Sequence, residues 1–138
     1  MRLMIILLCC CFFLTGCVKY KQAITKKEAV SFADDFFKAL GSGDTLYLQH
    51  HLADDFVLYE HDQVWNIDSL LSLMPLTQGR VWEIQKPHFV NNGAIGHLYY
   101  YNQGVTPSDR AWLESMLMER QGSELKLRFM QSTKLYLK

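Results

Sequence analysis

The chain has 138 residues, 49% of them apolar, with 14 Lys and Arg balanced by 14 Asp and Glu. That length suits one domain with a hydrophobic core of its own. Neutrality without a basic stripe speaks against nucleic acid as a partner.

The N-terminus reads MRLMIILLCCCFFLTGC. Arg2 is followed by an apolar run, Leu3 to Leu14, too short to span a bilayer comfortably as a mature helix. The run ends in Leu14-Thr15-Gly16-Cys17, which resembles the lipobox of bacterial lipoproteins, where a small residue precedes a cysteine that is lipidated and becomes the new N-terminus. The resemblance implies a signal peptide over residues 1–16, lipidation at Cys17 and attachment to a membrane through that lipid. Arg2, Cys9, Cys10 and Cys11 would leave with the signal, so no thiol would remain for a disulfide and the fold must stand on its core. Val18, rather than the Asp that retains enterobacterial lipoproteins in the inner membrane, follows the cysteine, and no acidic run comes after it. The implied location is the outer membrane, facing the periplasm. Residues 17–24 are expected to form the lipidated cysteine and a short polar tether, and residues 25–138 the domain.

Thr25-Lys26-Lys27-Glu28 has the form of a capping box, and Ala29, Val30, Ala33, Phe36, Phe37 and Leu40 recur at helical spacing behind it. Gly41 stands where a C-terminal cap glycine belongs. Asp44 caps a shorter second helix ending near His50-His51-Leu52. Asp54-Asp55 interrupts the pattern, and Phe56 to Glu60 reads as a strand. Asp62-Gln63 reads as a turn and Asn66 as the cap of a third helix, Ile67 to Met74, closed by Pro75. From there the pattern is a four-strand meander: Arg80 to Val90, Ala94 to Val105, Arg110 to Arg120 and Glu124 to Leu137. Asn91-Asn92-Gly93, Thr106 to Asp109 and Gln121-Gly122-Ser123 supply the connections.

Two stretches, FADDFFKALGSGDTLYLQHHLADDFVLYEH and AWLESMLMERQGSELKLRFMQSTKLYL, resemble the opening and close of the nuclear transport factor 2-like superfamily, in particular its SnoaL-like branch. The likeness runs from Thr25 to Leu137 and rests on the sum of weak motifs. It implies an α+β fold in which three N-terminal helices pack on a strongly curved antiparallel sheet, a cone-shaped, cystatin-like α+β barrel with an apolar pocket. The superfamily holds isomerases, dehydratases and cyclases as well as members without catalysis, so fold does not settle function. A histidine frequent in that family on the last strand is replaced by Gln131, which cannot do acid/base work.

Alternation along strands sorts the candidate residues. On the last strand Leu125, Leu127, Phe129, Gln131 and Thr133 share a face whose apolar character marks it as concave. On the strand before, Trp112, Glu114, Met116 and Met118 share one face. If it lines the cone, Glu114 is a desolvated carboxylate and a credible base; if not, the tryptophan and methionines form a patch suited to dimerisation. His97, Tyr99 and Tyr101 share a face of the strand preceding that. In LYEHDQVWN, Glu60 and His61 point to opposite faces, and Tyr59 with His61 is expected at the rim beside Trp65, leaving Glu60 solvated or paired. The expected pocket comprises Phe36, Tyr59, His61, Trp65, Trp82, His97, Tyr99, Trp112, Glu114, Phe129 and Gln131, with Glu114, His97 and Tyr59 the catalytic candidates. No metal is expected: His50 and His51 diverge by about 100 degrees on a helix, and Glu60, His61 and Asp62 diverge at a strand end. No cofactor is implied. The partners implied are a membrane, a small apolar ligand and a second copy across the sheet. The leading role is binding; an isomerase, dehydratase or cyclase and a dimeric accessory subunit stand as alternatives.

Overall fold

The computed structural model describes residues 22–106 and 110–136. The signal peptide, Cys17, most of the tether and the Pro107–Asp109 part of the expected loop lie outside them. The expected tether is shorter than its sequence suggests. Ile24 is fully buried, donates its N–H to Gly93 O at 3.1 Å and accepts from Asn91 Nδ2 at 2.7 Å. Residues 22–24 therefore belong to the domain.

Helix α1 (Lys26–Ser42) opens with the expected capping box: Thr25 Oγ1 accepts from Glu28 N at 3.2 Å, and the Glu28 carboxylate accepts from Thr25 N at 2.8 Å. Glu28 also meets Arg120 at 2.6 Å. That arginine is buried and donates as well to Gln22 O and Ser123 O, tying the N-terminal segment to the far end of the chain. The helix runs past Gly41 to a left-handed cap at Gly43 (φ 78°). Gly41 is needed instead for close packing: a Cβ there would lie 2.3 Å from Arg80 O.

Helix α2 (Thr45–His51) starts at Asp44, whose carboxylate accepts from Tyr47 N at 2.9 Å. Strand β1 (Leu52–Glu60) follows at once and includes Asp54 and Asp55, which point to water instead of breaking the strand. A tight turn at His61-Asp62, with His61 at φ 54°, leads into β2 (Gln63–Trp65). The turn thus sits one residue earlier than expected, and Gln63 is in a strand. Asn66 and Ser69 cap each other at the start of α3 (Ile67–Ser72). Pro75 does not close that helix. It lies in the first turn of a separate short helix, α4 (Met74–Thr77), where a missing N–H costs nothing.

Strands β3 (Val81–Asn92), β4 (Ile95–Thr106), β5 (Ala111–Gln121) and β6 (Glu124–Leu135) form the meander. The sheet order is β2-β1-β6-β5-β4-β3. Every pairing is antiparallel except β1 with β6, which is parallel. The architecture is the expected α+β one, a curled sheet with the helices in its concavity, with that one parallel pair and a fourth short helix added.

One irregularity decides which side chains face inward. Met118 pairs with Leu127 but Leu117 pairs with Phe129, so Arg128 is an extra residue bulged out of β6. A bulge shifts the alternation by one. Before it Leu127 is buried; after it Met130 and Ser132 are buried, while Phe129 is only half-buried and Gln131 and Thr133 are exposed.

Candidate functional site in the cone

Two rungs cross the concave face of the sheet. Leu58, Met130, Met116 and Leu98 lie side by side on β1, β6, β5 and β4, all buried. Two residues further along, the same strands place Glu60, Ser132, Glu114 and Tyr100 in register. Glu60, Ser132 and Glu114 of the second rung are the polar floor of a cavity of about 280 Å³. Phe36 and Phe37 of α1 and Leu70 and Leu76 of the later helices roof it, and Trp65, Trp82 and Trp112 wall it. Those are all three tryptophans of the sequence.

Glu114 is 5% exposed. It accepts from Ser132 Oγ at 2.9 Å and from Asn102 Nδ2 at 3.1 Å. Burial pushes its carboxyl up to about 7, and the negative charge of Glu60 adds to this, against the pull of the hydrogen bonds. Tyr100, fully buried beside it, is held well above its ordinary value by burial and by the Glu114 charge. Its hydroxyl lacks hydrogen-bond geometry to any partner among the described residues, as do Asn102 Oδ1 and Trp65 Nε1. A carboxyl titrating near neutrality in an apolar cone can accept or deliver a proton.

Of the eleven residues expected in the pocket, Phe36, Trp65, Trp82, Trp112 and Glu114 line this cavity. The ambiguity on β5 resolves in favour of the tryptophan face. The other six do not. Tyr59 is 47% exposed, packs on Phe129 at 5.8 Å and shares a shallow groove with His61 and Gln131 on the convex face. The reason differs by strand. Phe129 and Gln131 are turned out by the bulge at Arg128. On β1 the inward set is Phe56, Leu58 and Glu60, so Glu60, expected to be solvated or paired away from the pocket, is the residue that reaches the cone. On β4 the inward set is Leu98, Tyr100 and Asn102, which leaves His97 and Tyr99 on the convex face. There the Tyr99 ring stacks with His88 and meets His97 edge-on, and partial burial lowers the His97 pKa.

Sequence reasoning missed Tyr100, Asn102 and Ser132. For the first two a signal existed: fixing the inward phase of β4 on Leu98 in place of His97 finds both. For Ser132 none did, since strict alternation from Leu127 places it outside.

No family model matches the chain, and no curated protein does. Solved structures do. An NTF2-like protein from Cytophaga hutchinsonii superposes with a TM-score of 0.73 at 8% identity, covering 81% of this chain and 99% of that one. The CaMKII hub of S. rosetta gives 0.71 at 12% identity, with 82% and 98% covered. A candidate ketosteroid isomerase from Parabacteroides distasonis gives 0.64 at 12% identity, with 85% and 92% covered. The fold is therefore the NTF2-like, cystatin-like one. At such identities the likeness carries the fold alone, and the three neighbours differ in what they are described as doing.

Proposed function

We propose that this chain is a lipid-anchored NTF2-like domain of the bacterial cell envelope, of the SnoaL-like kind, that binds a small apolar ligand in its cone. The observation that carries the binding reading is the cavity of about 280 Å³, with its apolar helices above and three tryptophans around it. Its size and its few converging polar groups are those of a small-molecule site. Anchoring rests on Leu14-Thr15-Gly16-Cys17 at the end of an apolar run, and the outer membrane on Val18. Globomycin should block processing at Cys17; normal processing in its presence contradicts the anchor.

Because every tryptophan lines the cavity, intrinsic fluorescence reads occupancy directly. Native mass spectrometry of the purified chain should find a co-purifying small molecule, and its removal should shift tryptophan emission. An empty cavity whose fluorescence no apolar compound moves would sink the binding reading.

A second reading, an isomerase, dehydratase or cyclase, is favoured by one observation: Glu114, titrating at about 7, with Ser132 and Asn102 holding its oxygens. In it Glu114 shuttles the substrate proton. A dimeric accessory role is supported by Leu113, Tyr101 and Val90, all exposed on the convex face.

A further inference from the structure

The polar floor of the cone is acidic, and its geometry narrows the ligand class. Glu60, Ser132 and Glu114 stand on the adjacent strands β1, β6 and β5 in one rung. Neighbouring strands are about 4.8 Å apart, so the two carboxylate-bearing positions are separated by about 10 Å with Ser132 midway between them. Neither carboxylate has a cationic partner among the described residues: Ser132 and Asn102 serve Glu114, and no basic side chain reaches Glu60. Arg80, the basic residue that lines the cavity, is exposed and forms no ion pair with either carboxylate. It precedes Val81, which pairs with Thr106, several residues along β4 from Tyr100 in the rung. Around the floor stand three indole rings, whose faces attract positive charge. Two carboxylates without a cation and an aromatic wall ask for the same group, a cation that donates hydrogen bonds.

We infer that the cone takes an apolar amine, its ammonium seated over Ser132 between Glu60 and Glu114 and its hydrocarbon body held among Trp65, Trp82, Trp112 and the α1 phenylalanines. The ammonium N–H groups are donors for both carboxylates. This inference rests on the reading of the cone as a ligand site and adds the sign of the ligand's charge.

The test is a fluorescence titration of the full chain at pH 8 with three compounds of one shape: phenethylamine, phenethyl alcohol and hydrocinnamate. The amine should bind at least tenfold more tightly than the alcohol, and the anion should bind worst. In Glu114→Gln the advantage of amine over alcohol should fall below threefold. Glu60→Gln, at a strand end and only partly buried, should reduce it in the same direction and serves if the Glu114 variant folds poorly. Alcohol binding as tightly as amine would overturn the amine while leaving the apolar site intact. Hydrocinnamate binding best would reverse the sign of the charge and overturn it too. Silence from all three would remove the ligand site itself, and the amine with it.

Discussion

Replacing Glu114 by glutamine tests the electrostatics of the cone most directly. An ordinary glutamate titrates at 4.5, and this one is held at about 7 in the folded chain. Between those values the folded state binds a proton that the unfolded state has released. The slope of stability with pH is then negative, about 1.4 kcal/mol per pH unit. Across the window the loss sums to about 3 kcal/mol, in full force above pH 7 and absent below about 4.5. The groups facing Glu114 are Glu60 from β1, Tyr100 and Asn102 from β4, and Ser132 from β6, while the helices turn apolar side chains to it. None of these supplies a positive charge to reverse the sign. Glutamine keeps the shape, still accepts from Ser132, and after an amide flip of Asn102 donates to the otherwise unpartnered Oδ1. Glu114→Gln should therefore be about 3 kcal/mol more stable than the parent at pH 8, with most of that gain gone at pH 5. Urea denaturation followed by tryptophan fluorescence at the two pH values measures it. A stability difference between parent and variant that does not change with pH would refute the assignment of a desolvated, proton-binding carboxyl.

Three further outcomes follow from the packing. Gly41→Ala improves helix propensity by about 1 kcal/mol but drives a methyl group into Arg80 O; the collision dominates, and a net loss of about 2 kcal/mol by chemical denaturation is expected, whereas a stabilised variant would contradict the close approach. Glu28→Ala removes half of the capping box and the carboxylate partner of buried Arg120, so a loss of about 2 kcal/mol is expected, with faster hydrogen exchange in the first turn of α1. The Glu28 carboxyl is held down at about 2, chiefly by the Thr25 backbone N–H and then by Arg120. Its contribution is thus present above pH 4.5 and fades as pH falls toward 2, opposite in sign to that of Glu114 and reduced by its exposure to solvent. Ser132→Ala deletes a hydrogen bond that favours the charged form of Glu114, and the carboxyl should titrate higher still by carbon-detected NMR; an unchanged or lower value would show that the bond contributes nothing.

Much of the fold was legible because its signals are local. The capping box at Thr25, the Asp44 and Asn66 caps and the Asn91-Asn92-Gly93 turn are each decided by a few neighbouring residues. Gly41 and Pro75 were misread for the opposite reason. What Gly41 avoids is a carbonyl 39 residues away, at Arg80, and a proline signals a helix boundary equally well whether it ends one helix or begins the next. The candidate site was half legible. Glu114 with Trp112, Met116 and Met118 already formed a face, and only its direction was open. His97 and Tyr99 looked like pocket chemistry because they are polar and aromatic together, yet the small and apolar residues beside them, Gly96 and Leu98, are the ones that point inward.

Most of the elements and their order are local in origin: helical and strand periodicities, caps and turns are written in spacings of two to four residues. The sequence also showed that the last strand carries Gln131, which offers no acid/base group, where the resembling family often has a histidine. Which face of each strand lies inside depends on packing across the whole chain, because a face acquires an inside when a helix covers it. One extra residue at Arg128 then exchanges the faces of β6 without altering its composition. The polar rung of Glu60, Ser132, Glu114 and Tyr100 exists for the same reason, since four side chains from four strands become neighbours only when the register across the sheet aligns them.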